Sequence, residues 1–113
     1  MASPITTHVL DTHLGSPAEG MAVTLFKQDG KQWLNIAHGI TNQDGRISDW
    51  LDGQAREVGI YKITFETDPY FERLGQVCFY PSVSFEFRIT DATQHYHVPL
   101  LVSAHAISSY RGS

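Results

Sequence analysis

Between Gly59 and Thr67 the chain alternates, with Tyr61, Ile63 and Phe65 on one side and Lys62, Thr64 and Glu66 on the other. This is the period of a strand with one face on a core and the other in water. The same period returns in Val83, Phe85, Phe87 and Ile89 against Ser84, Glu86, Arg88 and Thr90. Further strand-like runs span Ile5 to His13, Met21 to Phe26, Lys31 to Ile40, His95 to Ser103 and about Ile107 to Arg111. Turn-forming stretches separate them: Gly15 to Gly20, Thr41 to Gly45 and Asp91 to Gln94, with Asp44-Gly45 supplying positive-φ chemistry. One helix is expected, Pro69 to Leu74, with Asp68 as its N-cap, Pro69 at the first helical position and Gly75 closing it. A single short helix cannot provide the crossovers of a parallel α/β sheet. About seven or eight short strands at this spacing predict an all-β, two-sheet antiparallel sandwich with one short helix.

The 113 residues suit one domain, 1–113, with a real core but limited depth, so a cleft shared with a second subunit is open to it. A net charge of -4, with Lys and Arg scattered, argues against a nucleic-acid partner. No apolar run reaches membrane-spanning length, and residues 1 to 7 lack a secretory pattern. No membrane partner and a cytoplasmic location are therefore expected. The lone cysteine, Cys78, sits between Val77 and Phe79 and reads as a packed thiol.

Six histidines allow a metal site, an acid–base site or scattered imidazoles. His95 and His97 share a strand face, with Tyr96 opposite, but no Cys, Asp or Glu at ligand spacing completes a metal site. No metal and no cofactor are expected. His8 shares its face with Thr6 and Leu10, whereas His13 falls on the side of Ile5 and Val9, so the two cannot line one site. The tail Tyr110-Arg111-Gly112-Ser113 combines amphipathic area, a planar donor fork, a residue that lets the backbone bend and a final hydroxyl with a carboxylate. It reads as a terminus in use.

Four segments taken together, Ile5 to Asp11, Asn42 to Arg46, His95 to Leu101 and Ser109 to Ser113, resemble the transthyretin-related 5-hydroxyisourate hydrolases. Gly15 to Met21, Tyr70-Phe71 and Phe79-Tyr80-Pro81 extend the likeness over nearly the whole chain. Ala104-His105-Ala106-Ile107 departs from it, where the family has a Pro followed by aromatic and small residues. The resemblance implies a transthyretin-like (prealbumin-like) fold and a homotetramer, a dimer of dimers with clefts at the dimer interface. It also implies opening of the ring of 5-hydroxyisourate by water, in urate degradation, to give 2-oxo-4-hydroxy-4-carboxy-5-ureidoimidazoline. Its catalytic positions fall on His8, Arg46, His97 and Ser113, and its substrate-binding positions on His8, Arg46 and Tyr110, Arg111, Gly112 and Ser113. His13, His38, His95 and His105 match none of them.

A neutral imidazole is the side chain best suited to take a proton from water near neutral pH. His8 and His97 are accordingly expected to form a hydrogen-bonded pair, with Arg46 binding the substrate's carbonyl edge and stabilising the oxyanion. The alternative is a transthyretin-like carrier of small molecules, since one fold hosts unrelated functions. An apolar carrier channel has no need of His8, Arg46, His97 and the tail as a set.

Overall fold

The computed structural model describes residues 4–51 and 57–112. Its elements are β1 (Ile5–Asp11), β2 (Ser16–Pro17), β3 (Ala22–Asp29), β4 (Gln32–Ile40), β5 (Arg46–Ile47), β6 (Gly59–Phe65), α1 (Thr67–Arg73), β7 (Val83–Ile89), β8 (Tyr96–Val102) and β9 (Ile107–Ser109). They form the all-β sandwich with one short helix that the alternation predicts. In β6 the interior takes Tyr61, Ile63 and Phe65, and in β7 Val83 and Ile89 are buried while Ser84, Glu86 and Arg88 face water. The short piece β2 falls in a segment that reads as turn in the sequence, and β5 follows directly on the Thr41 to Gly45 turn.

One sheet runs β4-β3-β6-β7 and the other β2-β1-β8-β9, with β5 also paired to β1. Because β8 lies along the whole of β1, β5 and β2 share the opposite edge, at Thr7–His8 and Leu10–Asp11 respectively. The inward faces meet in one core that includes Ile5, Val9, Leu100 and Val102 from one sheet and Val23, Leu25, Ile63 and Phe65 from the other. Burying each such side chain contributes about 1.5–3 kcal/mol before conformational entropy is subtracted.

Two expectations need correction. The sandwich is not antiparallel throughout: β1 and β8 are parallel, in the register Thr6↔His97 and His8↔Pro99. After β7 the chain crosses to the other sheet and enters β8 from the end where β1 begins. The Tyr96 N–H donates to the Pro4 carbonyl there, at 2.9 Å. The helix also starts earlier than Pro69, at Thr67, with Glu66 rather than Asp68 as N-cap and no capping side chain. Tertiary bonds replace that cap: the Thr67 hydroxyl donates to the Tyr80 carbonyl and the Asp68 N–H to the Pro81 carbonyl. Asp68 instead sits in the first turn, where its charge suits the helix dipole.

The helix ends as read. Gly75 has φ +71°, its N–H bonds Glu72 O and that of Gln76 bonds Phe71 O, the paired bonds of a Schellman stop. Its buried Tyr70 donates at 2.8 Å to Asp11, which is 1% exposed and also accepts the N–H groups of His13 and Leu14. Three donors thus satisfy a carboxylate that burial would otherwise penalise. Burial, reinforced by Asp11, pushes the Tyr70 phenol well up, so it remains a donor. Cys78 is buried, as its neighbours suggest. No helix among the described residues is long and apolar enough to cross a membrane.

Candidate active site

The outward face of the β1–β8 pair carries the groups that the sequence singles out. Its geometry begins with the turn before β5. The Asn42 carbonyl accepts the Gly45 N–H at 2.8 Å, and the Asn42 side-chain oxygen accepts the N–H groups of Asp44 and Arg46 at 2.9 and 3.0 Å. Gly45 has φ +73°, and its carbonyl accepts the Val9 N–H at 2.7 Å. This anchors the turn on β1 and sets Arg46 directly across from His8. The Arg46 guanidinium makes no hydrogen bond or ion pair among the described residues.

Strand register supplies His97. Thr6 and His8 alternate onto the same face of β1, and Thr6 pairs with His97 on β8. The expected hydrogen bond between His8 and His97 is absent. His97 Nδ1 instead lies 2.7 Å from the Thr6 hydroxyl, because the parallel register puts Thr6, not His8, beside it. His97 Nε2 is thereby the ring nitrogen left for other work. Burial lowers the His97 pKa from 6.5, and Arg46, His8 and His95 lower it further, with a hydrogen bond to the Thr6 backbone acting the other way. Burial and then Arg46 lower that of His8 as well, with the Asp44 backbone and charge acting the other way. Both imidazoles are held toward their neutral form by burial first and then by one guanidinium, which stands near each.

The tail closes on the same spot. Gly112 forms a bridge with His97 and donates its N–H to the His97 carbonyl at 2.8 Å. The glycine is needed for room rather than for a bend: its φ is not positive, and a Cβ there would lie 2.5 Å from His97 Cδ2. Gly112→Ala is therefore expected to displace the His97 ring and cut turnover about 100-fold, the scale of a misplacement near 1 Å. Steady-state assays beside thermal melts check this; unaltered turnover would show that the ring has freedom to move.

The other tail residues divide. Tyr110 is 61% exposed, and with Arg111 and His97 it lines an open groove of about 240 Å³ along the edge between the sheets. The Arg111 guanidinium is engaged away from His8 and Arg46, donating to Gln94 Oε1 at 2.9 Å and lying over the Tyr96 ring at 4.4 Å. Its fork ties the tail to the sandwich. Ser113 lies outside the described residues.

Thr6, which does not stand out in the sequence, belongs to this face, as does His95, which the sequence sets beside His97 without assigning it a role. His95 Nε2 is 3.1 Å from the Thr6 hydroxyl, and the His95 and His97 rings are nearly parallel, at 17° with centroids 6.5 Å apart. The His-x-His spacing put the two rings on one face, and β1 alternation put Thr6 with His8. Nothing local placed those two faces side by side. His13 and His105 instead line a separate groove at the end of the sandwich.

A transthyretin-type sandwich bearing two imidazoles, a guanidinium and a closing tail has relatives of known kind. The chain belongs to the HIUase/transthyretin family, whose sequence model matches residues 5–112. It is similar to the 5-hydroxyisourate hydrolase of Mus musculus, at 43% identity over 99% of this chain and 97% of that one. The enzyme of that name from Salmonella dublin is 39% identical over 96% of this chain and 80% of its own. Among solved structures, Klebsiella pneumoniae 5-hydroxyisourate hydrolase matches with a TM-score of 0.85 and 33% identity, over 96% of this chain and 97% of that one. Sea bream transthyretin in complex with thyroxine matches with a TM-score of 0.91 and 25% identity, over 97% and 95%. The backbone alone therefore does not separate hydrolase from carrier.

Proposed function

We propose that this protein is a 5-hydroxyisourate hydrolase of urate degradation. Water adds to a carbonyl of the six-membered ring, the ring C–N bond breaks, the nitrogen takes up a proton, and 2-oxo-4-hydroxy-4-carboxy-5-ureidoimidazoline is formed. The observation that carries this reading is the meeting of His8, Arg46 and His97 on one face, with Gly112 seated on His97. The kinship with curated hydrolases supports it.

In this reading His97 Nε2 removes the proton from water and returns it to the leaving nitrogen, and His8, beside Arg46, orients that water. Arg46 holds the carbonyl edge and stabilises the oxyanion, its planar fork matching a urea-like group. Tyr110 adds contact area at the mouth, Arg111 steadies the tail, and Ser113 holds Arg46 or a histidine in register. The groups lie on an outward sheet face, so a second copy of the chain is the natural roof over them. This supports assembly as a homotetramer, and a cytoplasmic location goes with the same reading.

The test generates 5-hydroxyisourate with urate oxidase and follows its decay. Wild-type protein is expected to accelerate it, and Arg46→Lys to remain roughly 100-fold slower, because an ammonium keeps the charge but loses the fork. Decay unaffected by the wild type would leave the carrier reading standing. The pH profile adds a check with a defined sign. Both imidazoles act neutral and have pKa values lowered from 6.5. kcat/KM should hold steady through neutral pH and fall only as acid protonates them below 6.5. An acid limb centred above that value would contradict the assignment.

A further inference from the structure

We propose that Thr6 is a positioning residue that fixes the tautomer of His97, and that His95 acts on His97 through it. The inference rests on His97 being the base of the reaction above. The Thr6 hydroxyl lies between two ring nitrogens, 2.7 Å from His97 Nδ1 and 3.1 Å from His95 Nε2. Thr6 is itself only 6% exposed, and the stiff β-branched side chain holds its oxygen in place between the two rings. A hydroxyl has one proton to donate and lone pairs to accept with. Donation toward one imidazole therefore requires the hydroxyl to accept from the other if both bonds are kept.

Two arrangements have the hydroxyl donate to a ring, and a third has both rings donate to it. If Thr6 donates to His95 Nε2, it accepts from His97 Nδ1–H, and His97 Nε2 carries a free lone pair, as a base needs. If His95 Nε2 instead donates to Thr6, the hydroxyl proton is free to turn toward His97 Nδ1, and where it does so His97 is the Nε2–H tautomer. That form can give a proton but cannot take one. Arg46 on β5 and His8 on β1, with Asp44 acting on His8, bias the charge of His97, and Glu86 and Arg88 on β7 with Tyr110 and Arg111 of the tail line the groove beside it. None of them hydrogen-bonds its Nδ1. The choice of tautomer falls to Thr6, whose backbone also hydrogen-bonds the His97 ring, and the resting catalytic form is the one with Nδ1–H directed at Thr6.

The experiment compares wild type with Thr6→Val, Thr6→Ser and His95→Phe, using ring 15N shifts of His97 by NMR together with kinetics. NMR is expected to show the Nδ1–H tautomer in wild type and a shift toward Nε2–H in Thr6→Val. Thr6→Val should lower kcat by about 100-fold with KM little changed, and Thr6→Ser should restore most of the loss. His95→Phe, at an exposed position, removes the acceptor of the Thr6 hydroxyl proton and should shift His97 part of the way toward the Nε2–H form. An unchanged His97 tautomer in Thr6→Val, or equal losses in the Ser and Val variants, would overturn the proposal. If Thr6→Val does not fold, the Ser and Phe variants decide the matter by the same NMR readout. That readout needs no substrate, so a wild type with the expected tautomer but no hydrolysis would refute the hydrolase reading and leave the role of Thr6 standing.

Discussion

Replacing His97 by asparagine is expected to lower the turnover of 5-hydroxyisourate by about 10²–10⁴-fold, the range that a positioned acid or base contributes. Folding should be almost untouched. His97 lies on the outward face, outside the core, and its side chain is tied by hydrogen bonding to Thr6, so the change in stability should stay within about 1 kcal/mol. Asparagine can still bond Thr6 but has no titratable nitrogen to take a proton from water. Decay of urate-oxidase-generated substrate, measured beside a thermal melt, separates the two effects. Turnover within a few-fold of wild type would remove His97 from the chemistry and return attention to His8.

Gly45→Ala is expected to damage fold and site together. At φ +73° an alanine is strained, and its Cβ would lie 2.4 Å from the Val9 carbonyl oxygen, with Pro17 Cβ and Ala18 N at 3.1 and 3.2 Å. Backbone cannot yield as a flexible side chain would. Strain and overpacking together should cost about 3 kcal/mol and lower Tm by roughly 10 °C. The same turn seats Arg46 opposite His8, so kcat/KM should fall even where the variant remains folded. At Gly30, also at positive φ, an added methyl would meet nothing within 4 Å, and Gly30→Ala should show the smaller, conformational part of the effect alone. Equal melting points for the two variants would mean that the contact with Val9 relaxes freely.

Much of this protein was readable without coordinates. The alternation in Gly59 to Thr67 and in Val83 to Ile89 was enough to orient β6 and β7, and Asp44-Gly45 announced the turn before Arg46. His8, Arg46 and His97 were legible as candidates through resemblance spread over four segments. The helix start was misplaced because Asp68-Pro69 has the local chemistry of an N-terminus, while bonds to Tyr80 and Pro81 favoured an earlier one. The His8–His97 pair was likewise an inference from chemical suitability, and strand register assigned that bond to Thr6.

Side-chain period, turn chemistry and residue type act over a few residues, so the sequence by itself determined the strands, their inward faces and the groups available for catalysis. It did not determine which strands would lie together. Thr6 and His97 are 91 positions apart, and only the parallel pairing of β1 with β8 makes them neighbours. The same holds for Gly112, whose missing side chain gains its meaning from the His97 ring against it. Long-range register is set by how two whole sheets bury their apolar faces, a collective property of the core that no local segment encodes.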